Sequence, residues 1–517
     1  MSIARIVTAT EMRCLEDESV KLGISTAQLM ENAGRAVAHS VHQVLGAIAD
    51  KNITVLVGPG NNGGDGLVAA RYLHDLGARV NVLLLNSRSE SDYNLKLVRE
   101  RGIVVMGPDM SGLGNPLEHT DAVLDAIFGT GQSRGIDGIY KEVLGKLTDI
   151  QQRRQGLLVF AVDLPSGLNA DTGQPDPATP FVDHTLTLGL PKCGLYMPAG
   201  AARAGEITIL DIGFPPYLAA QTGVELITAE LAQALLPTRS PYANKGRFGR
   251  VMVVAGSMNY IGAAYLACAG AARVGAGLVA LAAPESIIPT VATMIPEATY
   301  IPIPESTPGI ILPEAAGLVK SAGEFNAILV GPGLGQKTET GIFLTCLLDV
   351  MSSACLVLDA DAINALAKIP EWWHKLCIDA IMTPHPGEMA RLTGLSIDEV
   401  QAERIALAQE KAIMWGKTVI LKGAFTVVAA PDGRCRISPF ANAALASAGT
   451  GDVLAGVVTG LLGQGLPLFD AATLGVYLHA RAGERVKAKT GDTGILASDL
   501  LPELPQSIRE LRDDRFA

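Results

Sequence analysis

An acidic residue follows a tight glycine turn in the segment Ala448-Gly449-Thr450-Gly451-Asp452. The two glycines allow successive backbone N–H groups to point inward at a helix N-terminus, where they would stabilise a phosphoryl group in transfer. Asp452 would then lie in the first helical turn and could take the proton of an attacking hydroxyl. The simpler alternative is that Asp452 only caps its helix. We favour a catalytic role, because a cap needs no Gly-x-Gly before it.

A second glycine-rich segment, Gly58-Pro59-Gly60-Asn61-Asn62-Gly63-Gly64-Asp65-Gly66, lies between a predicted strand and a predicted helix. Backbone N–H groups and the positive helix end can receive an anion there, so we interpret the segment as a ligand-binding loop. It contains G-x-G-x-x-G, which leaves a dinucleotide-binding Rossmann site open, although Asn86 stands where such a site needs an acid. A tight turn without a ligand is the remaining alternative, but the segment is richer in glycine and polar residues than a turn requires.

Two further loops follow later strands of the N-terminal half, at the edge where open α/β sheets bind ligands. The first, Asp125-Ala126-Ile127-Phe128-Gly129-Thr130-Gly131-Gln132-Ser133-Arg134-Gly135, offers an acid, a flexible loop of phosphate size and a cation. The second, Asp163-Leu164-Pro165-Ser166-Gly167, places a carboxylate at a strand end beside a turn fixed by proline. Either acid alone could be structural. Their convergence on one crevice predicts a site.

Three loops of the C-terminal half also follow predicted strands, with the sequences VGPGLG (330–335), TPHPGE (383–388) and LKGAFT (421–426). A lone histidine such as His385 is usually structural, but a proline on each side would hold it toward the crevice, so we interpret it as a substrate contact. Asp359 and Asp361 follow another strand and could help to hold a divalent metal. The sequence has no G-x-x-x-x-G-K-[ST] motif, which excludes a P-loop NTPase.

Short apolar runs alternate with helical patterns, which predicts a parallel, doubly wound sheet in each half. In the N-terminal half a covering helix over 25–45 precedes predicted strands at 53–57, 80–85, 122–128, 157–162 and 185–190. In the C-terminal half the predicted strands are 251–255, 278–283, 327–330, 356–359, 380–383 and 418–421, followed by a hairpin across 427–437 and a long helix after Asp452. Residues 213–249, rich in Pro, Gly and polar residues, predict a linker with one short helix near 229–236. We therefore expect two domains, 1–222 and 223–517.

Composition favours a cytoplasmic enzyme over a nucleic-acid-binding or membrane protein. The 41 basic and 52 acidic residues give a net charge of −11, which is unsuited to a surface that neutralises phosphates. The seven cysteines are dispersed without a C-x-x-C pair, so we expect reduced thiols and neither a disulfide framework nor a zinc site. No signal peptide is recognisable at the N-terminus. The apolar stretch 261–283 is interrupted by Arg273 and predicts a helix followed by a buried strand, not a membrane span.

Together, the motifs GNNGGDG, DAIFGTG and VDLPSG resemble those of the NAD(P)H-hydrate epimerase domain, over about residues 10–215. The resemblance implies that Asp163 is catalytic in acid–base exchange at C6 of the hydrated nicotinamide. It implies a potassium ion held by Asn62, Asp125 and Ser166, whose oxygen atoms suit a hard cation. The residues that would bind the substrate are Asn61, Asn62, Gly63, Gly64, Asp65, Gly129, Thr130, Gly131, Gln132, Ser133, Arg134, Gly135 and Asp163.

The C-terminal motifs G-P-G-L-G, T-P-H-P-G-E, K-G-x-x-T and G-x-G-D resemble those of the ribokinase-like, ADP/ATP-dependent NAD(P)H-hydrate dehydratase domain, over about residues 225–505. The resemblance implies that Asp452 deprotonates the C6 hydroxyl, which takes the terminal phosphoryl group and then leaves as phosphate. It also implies Mg²⁺ bridging the phosphates of ADP. Residues expected to bind the nucleotide are Lys422, Gly423, Ala424, Phe425, Thr426 and Gly451; those expected to contact the hydrated cofactor are Ala263, Gly335, His385 and Asp452.

These observations predict an α/β protein with an N-terminal Rossmann-like three-layer α/β/α domain and a C-terminal ribokinase-like α/β domain. The expected function is bifunctional repair, in which the first domain interconverts R- and S-NAD(P)HX and the second dehydrates the S form. One rival is a hydroxymethylpyrimidine- or hydroxyethylthiazole-type kinase fused to a nucleotide-binding domain, and another is a scaffold whose N-terminal half only binds. We expect NAD(P)HX and ADP or ATP as ligands, no nucleic acid, no membrane, and a homo-oligomer of undetermined size.

Overall fold

The computed structural model describes residues 5–107, 116–132, 134–219, 224–351 and 355–513. The chain divides after Val224 into two compact units, close to the predicted boundary between residues 222 and 223. Each unit contains a sheet of parallel strands with helices packed on it, so the predicted fold class of two α/β domains is confirmed. Within these described ranges, no helix is long and apolar enough to cross a membrane.

The N-terminal unit has helices on both faces of one sheet. Its elements are β1 (Arg5–Ile6), α1 (Ala9–Lys21), α2 (Thr26–Leu45), β2 (Asn52–Val57), α3 (Asn61–Asp75), β3 (Arg79–Leu84), α4 (Tyr93–Glu100), β4 (Val104–Met106), β5 (Ala122–Ala126), α5 (Gly138–Arg153), β6 (Leu158–Val162), β7 (His184–Leu188), α6 (Pro198–Ala204), β8 (Glu206–Leu210) and α7 (Pro216–Ala219). The sheet order is β4-β3-β2-β5-β6-β7-β8, and every pairing is parallel. From β2 the chain adds β3 and β4 on one side and then β5 to β8 on the other. The switch point between β2 and β5 is where such sheets open a binding crevice.

Local sequence explains how the first helices are placed. Strand β2, with the sequence NITVLV, is buried over almost its whole length because helices cover both sides of the sheet. Helix α2 begins where the Ser25 side chain accepts a hydrogen bond from the Gln28 backbone N–H, which caps the helix. Gly34 lets α2 approach α3 closely, since a Cβ there would lie 2.4 Å from the side chain of Val68.

The C-terminal unit is built around one mixed sheet. Its elements are β9 (Val224–Leu226), α8 (Ala229–Leu235), β10 (Arg250–Val254), α9 (Ile261–Arg273), β11 (Leu278–Pro284), α10 (Ile288–Met294), β12 (Thr299–Ile303), β13 (Glu305–Thr307), β14 (Ile310–Ile311), α11 (Ala315–Ser321), β15 (Ala327–Val330), α12 (Thr338–Val350), β16 (Cys355–Leu358), α13 (Asp361–Leu366), β17 (Ala380–Met382), α14 (Pro386–Thr393), α15 (Ile397–Ala402), α16 (Arg404–Trp415), β18 (Thr418–Leu421), β19 (Val427–Ala429), β20 (Cys435–Ile437), α17 (Thr450–Gly463), α18 (Leu468–Thr490) and α19 (Ala497–Asp513). The order is β9-β20-β19-β18-β17-β16-β15-β10-β11-β12. Strands from β12 to β18 pair in parallel, and β18, β19 and β20 pair antiparallel.

Most predicted elements are confirmed within one or two residues. The stretch 261–283 is helix α9 followed by strand β11, and the hairpin across 427–437 is β19 and β20. The strands β4, β8 and β12 were missed; they are flanking strands of three to five residues with partly exposed side chains. The short strands β1, β13 and β14 were missed as well. The predicted linker was wrong in part, because it contains strand β9 as well as the expected helix α8.

Helices α9 and α17 pack with their backbones almost in contact. A Cβ on Gly456 would lie 2.1 Å from the carbonyl oxygen of Ala267, and a Cβ on Gly460 would lie 2.7 Å from that of Ala271. Only glycine fits at these positions without moving one helix. This close packing fixes the start of α17, which carries Asp452.

Candidate active sites

The glycine-rich segment after β2 forms a close contact between two loops. A Cβ on Gly58 would lie 1.9 Å from the carbonyl oxygen of Ile127, in the loop after β5. The segment was predicted as a loop, but helix α3 already begins at Asn61, directly after Gly60. Asn61 and Asn62 therefore lie in the first turn of α3, where free N–H groups point out of the helix end.

Asp125, at the end of β5, is buried and ties two loops together. Its Oδ1 accepts hydrogen bonds from the Ile127 N–H at 3.2 Å and the Ser166 hydroxyl at 2.6 Å, and its Oδ2 accepts one from the Ser166 N–H at 2.9 Å. Burial raises the pKa of Asp125, because these neutral donors offset only part of the lost hydration. Ser166 in turn accepts a hydrogen bond from the Phe128 N–H at 2.9 Å, which joins the loops after β5 and β6.

Asp163 lies at the end of β6 with a backbone φ of 70°, a left-handed conformation that is rare for residues other than glycine. Its side chain is buried and forms an ion pair with Lys192, whose side chain is completely buried. The backbone N–H of Leu188 also donates to Asp163 Oδ1, at 3.1 Å. The other oxygen, Oδ2, lies 3.3 Å from the Cβ position of Gly129, so any side chain at residue 129 would crowd the carboxylate.

These loops surround a cavity of about 750 Å³. Two predicted substrate-binding residues, Gly63 and Gly64, do not line it; their Cβ positions lie against the Gly58 carbonyl oxygen and the Met30 side chain. The proposed potassium ligands Asp125 and Ser166 do not line the cavity either. Ser133 is outside the described residues. The predicted residues that line the cavity are Asn61, Asn62, Asp65, Gly129, Thr130, Gly131, Gln132, Arg134, Gly135 and Asp163.

Sequence reasoning missed several charged side chains that line this cavity, namely Arg13, Glu16, Asp17, Asp137 and Lys192. Glu16 projects from α1, and burial followed by the nearby Asp163 raises its pKa. Lys192 follows β7 in the sequence LPKCG, where a lysine directly after a proline was the only available signal. Burial, followed by Asp163 and Glu16, also raises the pKa of Asp65 well above its usual value. Glu16, Asp65 and Asp163 are therefore three of the carboxyl groups that line the cavity, and Lys192 is its buried ammonium.

In the C-terminal unit the glycine turn adopts the conformation that the sequence predicts. Gly449 has φ of 89° and directly precedes α17, and the Thr450 hydroxyl fixes the turn by donating to the Leu445 carbonyl at 2.7 Å. Asp452 follows in the first turn of the helix. Burial and the carboxylate of Asp359 raise the pKa of Asp452 to about 7, against the lowering effect of Lys422. A group with this pKa is suited to proton transfer at neutral pH.

Lys422 connects the loops after β16, β17 and β18. Its Nζ lies 2.7 Å from Asp359 Oδ1 and 3.9 Å from Glu388 Oε2, and the Thr383 hydroxyl donates to the same Asp359 oxygen at 2.6 Å. Burial acts to lower the pKa of Lys422, but Asp359 and Glu388 raise it. The Cβ position of Gly451 is 3.3 Å from this ammonium, which places the positive charge at the glycine turn.

His385 has a structural role that the sequence interpretation did not assign. Its Nδ1 accepts hydrogen bonds from the N–H groups of Gly387 and Glu388, at 3.0 and 3.4 Å, so it caps α14. Half of the side chain remains exposed, at 49%. Burial of the rest, followed by Lys422 and Arg391, lowers the pKa of His385 and favours the neutral imidazole.

A second cavity, of about 180 Å³, lies beside the glycine turn. It is lined both by polar groups and by apolar side chains such as Phe440 and Leu454, a combination typical of ligand pockets. Five of the six predicted nucleotide-binding residues line it: Lys422, Gly423, Ala424, Thr426 and Gly451. The sixth, Phe425, is 5% exposed, with its side chain in the core and a φ of 53°.

Two side chains around this pocket were also missed. Arg404 is buried and donates to the carbonyls of Leu421 and Lys422 at 3.1 and 3.2 Å, which braces the loop after β18. His479 lies in the pocket wall within 2.9 Å of the Thr450 carbonyl, and burial lowers its pKa to about 4. Both residues lie on helices far from any motif, so the sequence carried no signal for them.

The last two predicted substrate contacts lie around the loop after β15. The backbone N–H of Gly335 donates to Asp361 Oδ2 at 2.8 Å. Ala263 lies on α9 against Gly333, whose Cβ position is 2.8 Å from the methyl group of Ala263. Gly335 therefore lies in this loop, and Ala263 lies on the helix that contacts it.

Comparison with known proteins covers almost the whole chain. Residues 26–194 match the family described as YjeF-related protein N-terminus, and residues 251–506 match the family described as NAD(P)H-hydrate dehydratase. The bifunctional NAD(P)H-hydrate repair enzyme of Thermofilum pendens is 37% identical over 99% of this chain and 97% of the relative. The enzyme of the same name from Moorella thermoacetica is 37% identical over 98% of this chain and 97% of the relative.

Among solved structures, the ADP/ATP-dependent NAD(P)H-hydrate dehydratase of Bacillus subtilis, co-crystallized with ATP/Mg²⁺, is 33% identical. It covers 55% of this chain and 98% of its own, with a TM-score of 0.49. The family assignment rests on the relatives that align from end to end. This chain belongs to the family of bifunctional NAD(P)H-hydrate repair enzymes.

Proposed function

We propose that the N-terminal cavity interconverts the R and S epimers of hydrated NADH and NADPH, and that the C-terminal unit dehydrates the S epimer with ADP. The observation that carries this proposal is the pair of acids, one in each unit. Asp163 has one anchored oxygen and faces a cavity of about 750 Å³, and Asp452, whose pKa is about 7, directly follows Gly451 of the second pocket. Each is placed for proton transfer.

For epimerisation, Asp163 would carry one proton between two atoms of the substrate. Its carboxylate takes the proton of the C6 hydroxyl, the C6–N1 bond breaks to give an aldehyde, and the same proton passes to N1. Rotation about the C5–C6 bond and reversal of these steps closes the ring on the other face of C6. Atoms and charges balance, and no other reactant is consumed. The substrate-binding role of the loops at 61–65 and 129–135 is part of this proposal.

The residues proposed to hold potassium fit a monovalent cation. A cation beside Asp125 would offset the burial that raises the pKa of this carboxyl. Asn62 Nδ2 is buried and has no hydrogen-bond partner among the described residues, whereas a flipped amide would present an oxygen ligand there. Ser166 supplies a third oxygen. When bound, K⁺ would neutralise Asp125 and hold the loops after β5 and β6 in place.

For dehydration, Asp452 would take the proton of the C6 hydroxyl while the hydroxyl oxygen attacks the terminal phosphorus of ADP. The bond from that phosphorus to AMP breaks. Phosphate then leaves C6 and accepts the proton that C5 loses, which restores the reduced ring. Lys422 and the N–H groups at the start of α17 would stabilise the charge on the phosphoryl group. Ala263, Gly335 and His385 are proposed to contact the hydrated cofactor.

A divalent metal fits here only together with the nucleotide. In the part of the chain that the structure describes, no three acidic, histidine or cysteine side chains are grouped as a metal site. Asp359, one of the two predicted candidates, is already bound to Lys422 and Thr383. Oδ1 of Asp361 accepts only a long hydrogen bond, from Asn364 Nδ2 at 3.5 Å. Mg²⁺ commonly binds one or two carboxylates with substrate phosphates, so Asp361 is the residue proposed to hold it. When bound, Mg²⁺ would draw negative charge from the phosphates.

Cytoplasmic location and assembly into a homo-oligomer are further parts of the proposal, based on reduced cysteines and glycine-rich helix surfaces in the sequence. The described cysteines are all free, as this location requires. Size-exclusion chromatography with light scattering tests the assembly, and a mass equal to the 53.9 kDa of one chain would contradict it.

A direct test of the chemistry separates dehydration from kinase activity. Purified protein with Mg–ADP and S-NADHX should release AMP, phosphate and NADH in equal amounts. The alternative substrates are hydroxymethylpyrimidine and hydroxyethylthiazole with ATP, which should give no phosphorylated product. Phosphorylation of either alcohol, without NADH release from the hydrate, would contradict the proposed function.

A further inference from the structure

Lys192 is a completely buried lysine beside the proposed epimerase base. Its Nζ donates to Asp163 Oδ1, to the Leu188 carbonyl oxygen at 2.9 Å and to the Thr187 hydroxyl at 3.4 Å. An ammonium group has three N–H donors, so these three acceptors use all of them. Lys192 therefore has no donor left for a substrate and can act only through its partners.

The partner that matters is Asp163, because the contacts divide its two oxygens. Oδ1 accepts from Lys192 and from the Leu188 N–H, whereas the described residues donate no hydrogen bond to Oδ2. Oδ2 lies on the side of Gly129, one of the residues that line the cavity. The ion pair thus anchors Oδ1 and leaves Oδ2 directed toward the loop after β5, which is proposed to bind the substrate.

The ion pair also distinguishes Asp163 from two other acids of the cavity, Glu16 and Asp65. Burial and Asp163 raise the pKa of both Glu16 and Asp65, and the more distant Lys192 lowers these pKa values only in part. Among the described residues, neither acid forms a salt bridge with a lysine or arginine. Asp163 is the acid to which the buried ammonium is hydrogen-bonded.

We propose that Lys192 is the positioning residue of the epimerase site: its ammonium holds Asp163 Oδ1 so that Oδ2 is aimed at the C6 hydroxyl of the hydrated nicotinamide. This inference rests on the proposed epimerase function. The proton moves as described above, from the C6 hydroxyl to Asp163 and on to N1, and Lys192 keeps its own three protons throughout. A misplacement of about 1 Å at a reacting group costs about 100-fold in rate. The loss should appear in kcat, because Lys192 does not touch the substrate.

The test uses the full-length chain and pure R-NADHX, with R and S epimers separated by chromatography. Lys192→Gln should lower kcat for epimerisation by about 100-fold with KM changed less than threefold, while dehydration of S-NADHX stays at the wild-type rate. The matched control is Lys146→Gln on α5, a lysine paired with Glu142 on the surface, which should leave both activities unchanged. Because Gln is neutral and similar in length, it is the variant most compatible with folding.

A second variant provides a rescue that a purely structural ion pair would not give. Lys192→Ala leaves space for a small amine, so ethylammonium should restore epimerisation in a concentration-dependent manner, whereas tetramethylammonium, which has no N–H donor, should not. Wild-type kcat in Lys192→Gln, or a change confined to KM, would overturn the proposal. Failure of both variants to fold would overturn it in favour of a structural ion pair. An inactive wild-type chain with R-NADHX would instead contradict the epimerase function itself.

Discussion

The raised pKa of Asp452 predicts that dehydration depends on pH close to neutrality. Burial and Asp359 raise this pKa to about 7, although Lys422 opposes them. Because the ionised carboxylate is the proposed base, kcat/KM for the S epimer should increase as pH rises through 7. The ionised fraction of such a group increases about tenfold between pH 6 and pH 8, whereas an ordinary aspartate is ionised throughout this range.

Asp359→Asn is the perturbation that tests this cause. It removes the carboxylate that raises the pKa of Asp452 and releases Lys422, whose positive charge lowers it. Both effects lower the pKa of Asp452, so the midpoint of the pH profile should fall by about one pH unit or more. The control is Glu410→Gln, an acid of α16 whose side chain is 59% exposed, for which the midpoint should stay near 7.

The assay follows NADH absorbance from S-NADHX at saturating Mg–ADP, between pH 5.5 and pH 9. Normalised profiles are compared, since the absolute rate of Asp359→Asn is expected to fall through the disturbed Lys422. A wild-type profile that is flat from pH 6 to pH 8 would refute the reasoning about Asp452. A midpoint that does not move in Asp359→Asn would refute the assignment of the pKa shift to Asp359.

Three further predictions follow from the two sites and the packing. Asp452→Asn should abolish dehydration and spare epimerisation, and Asp163→Asn should do the reverse; loss of both activities from either change would contradict independent sites. Asp452→Asn should also raise the melting temperature at pH 8 but not near pH 4. The reason is that a carboxyl with a raised pKa makes the wild type lose stability as pH rises from about 4 to about 7, and equal melting temperatures at pH 8 would contradict this. Gly456→Ala should lower the free energy of unfolding by about 1–3 kcal/mol, because its Cβ would lie 2.1 Å from the Ala267 carbonyl oxygen. Gly317→Ala, a helical position with open space around its Cβ, should not destabilise, and equal effects in denaturant titrations would contradict the packing argument.

Much of the fold could be predicted because buried parallel strands have a strong sequence signal. The runs at 53–57 and 327–330 are continuous and apolar, and both are strands of the parallel sheets. Strands β4 and β8 were missed because their partly exposed side chains lack this signal. The helical first turn of α3 was not predicted because glycine and asparagine are poor helix formers, yet the helix begins at Asn61.

The candidate sites were predictable to the extent that their residues belong to motifs. Asp163 comes directly before a turn fixed by proline and Asp452 directly after a glycine turn, so both could be singled out. Lys192 and Arg404 could not, because a buried cation is defined by its tertiary partners and not by its neighbours in sequence. The capping role of His385 also depends on the geometry of the first turn of α14, which no spacing rule describes.

The central claim is that one chain converts both hydrate epimers to reduced cofactor. The most direct measurement mixes the purified protein with equal amounts of R- and S-NADHX and excess Mg–ADP, and follows NADH absorbance to completion. We expect recovery of all the hydrate as NADH for the wild type, and recovery of only the S half on the same timescale for Asp163→Asn. Recovery of half or none by the wild type would contradict the claim.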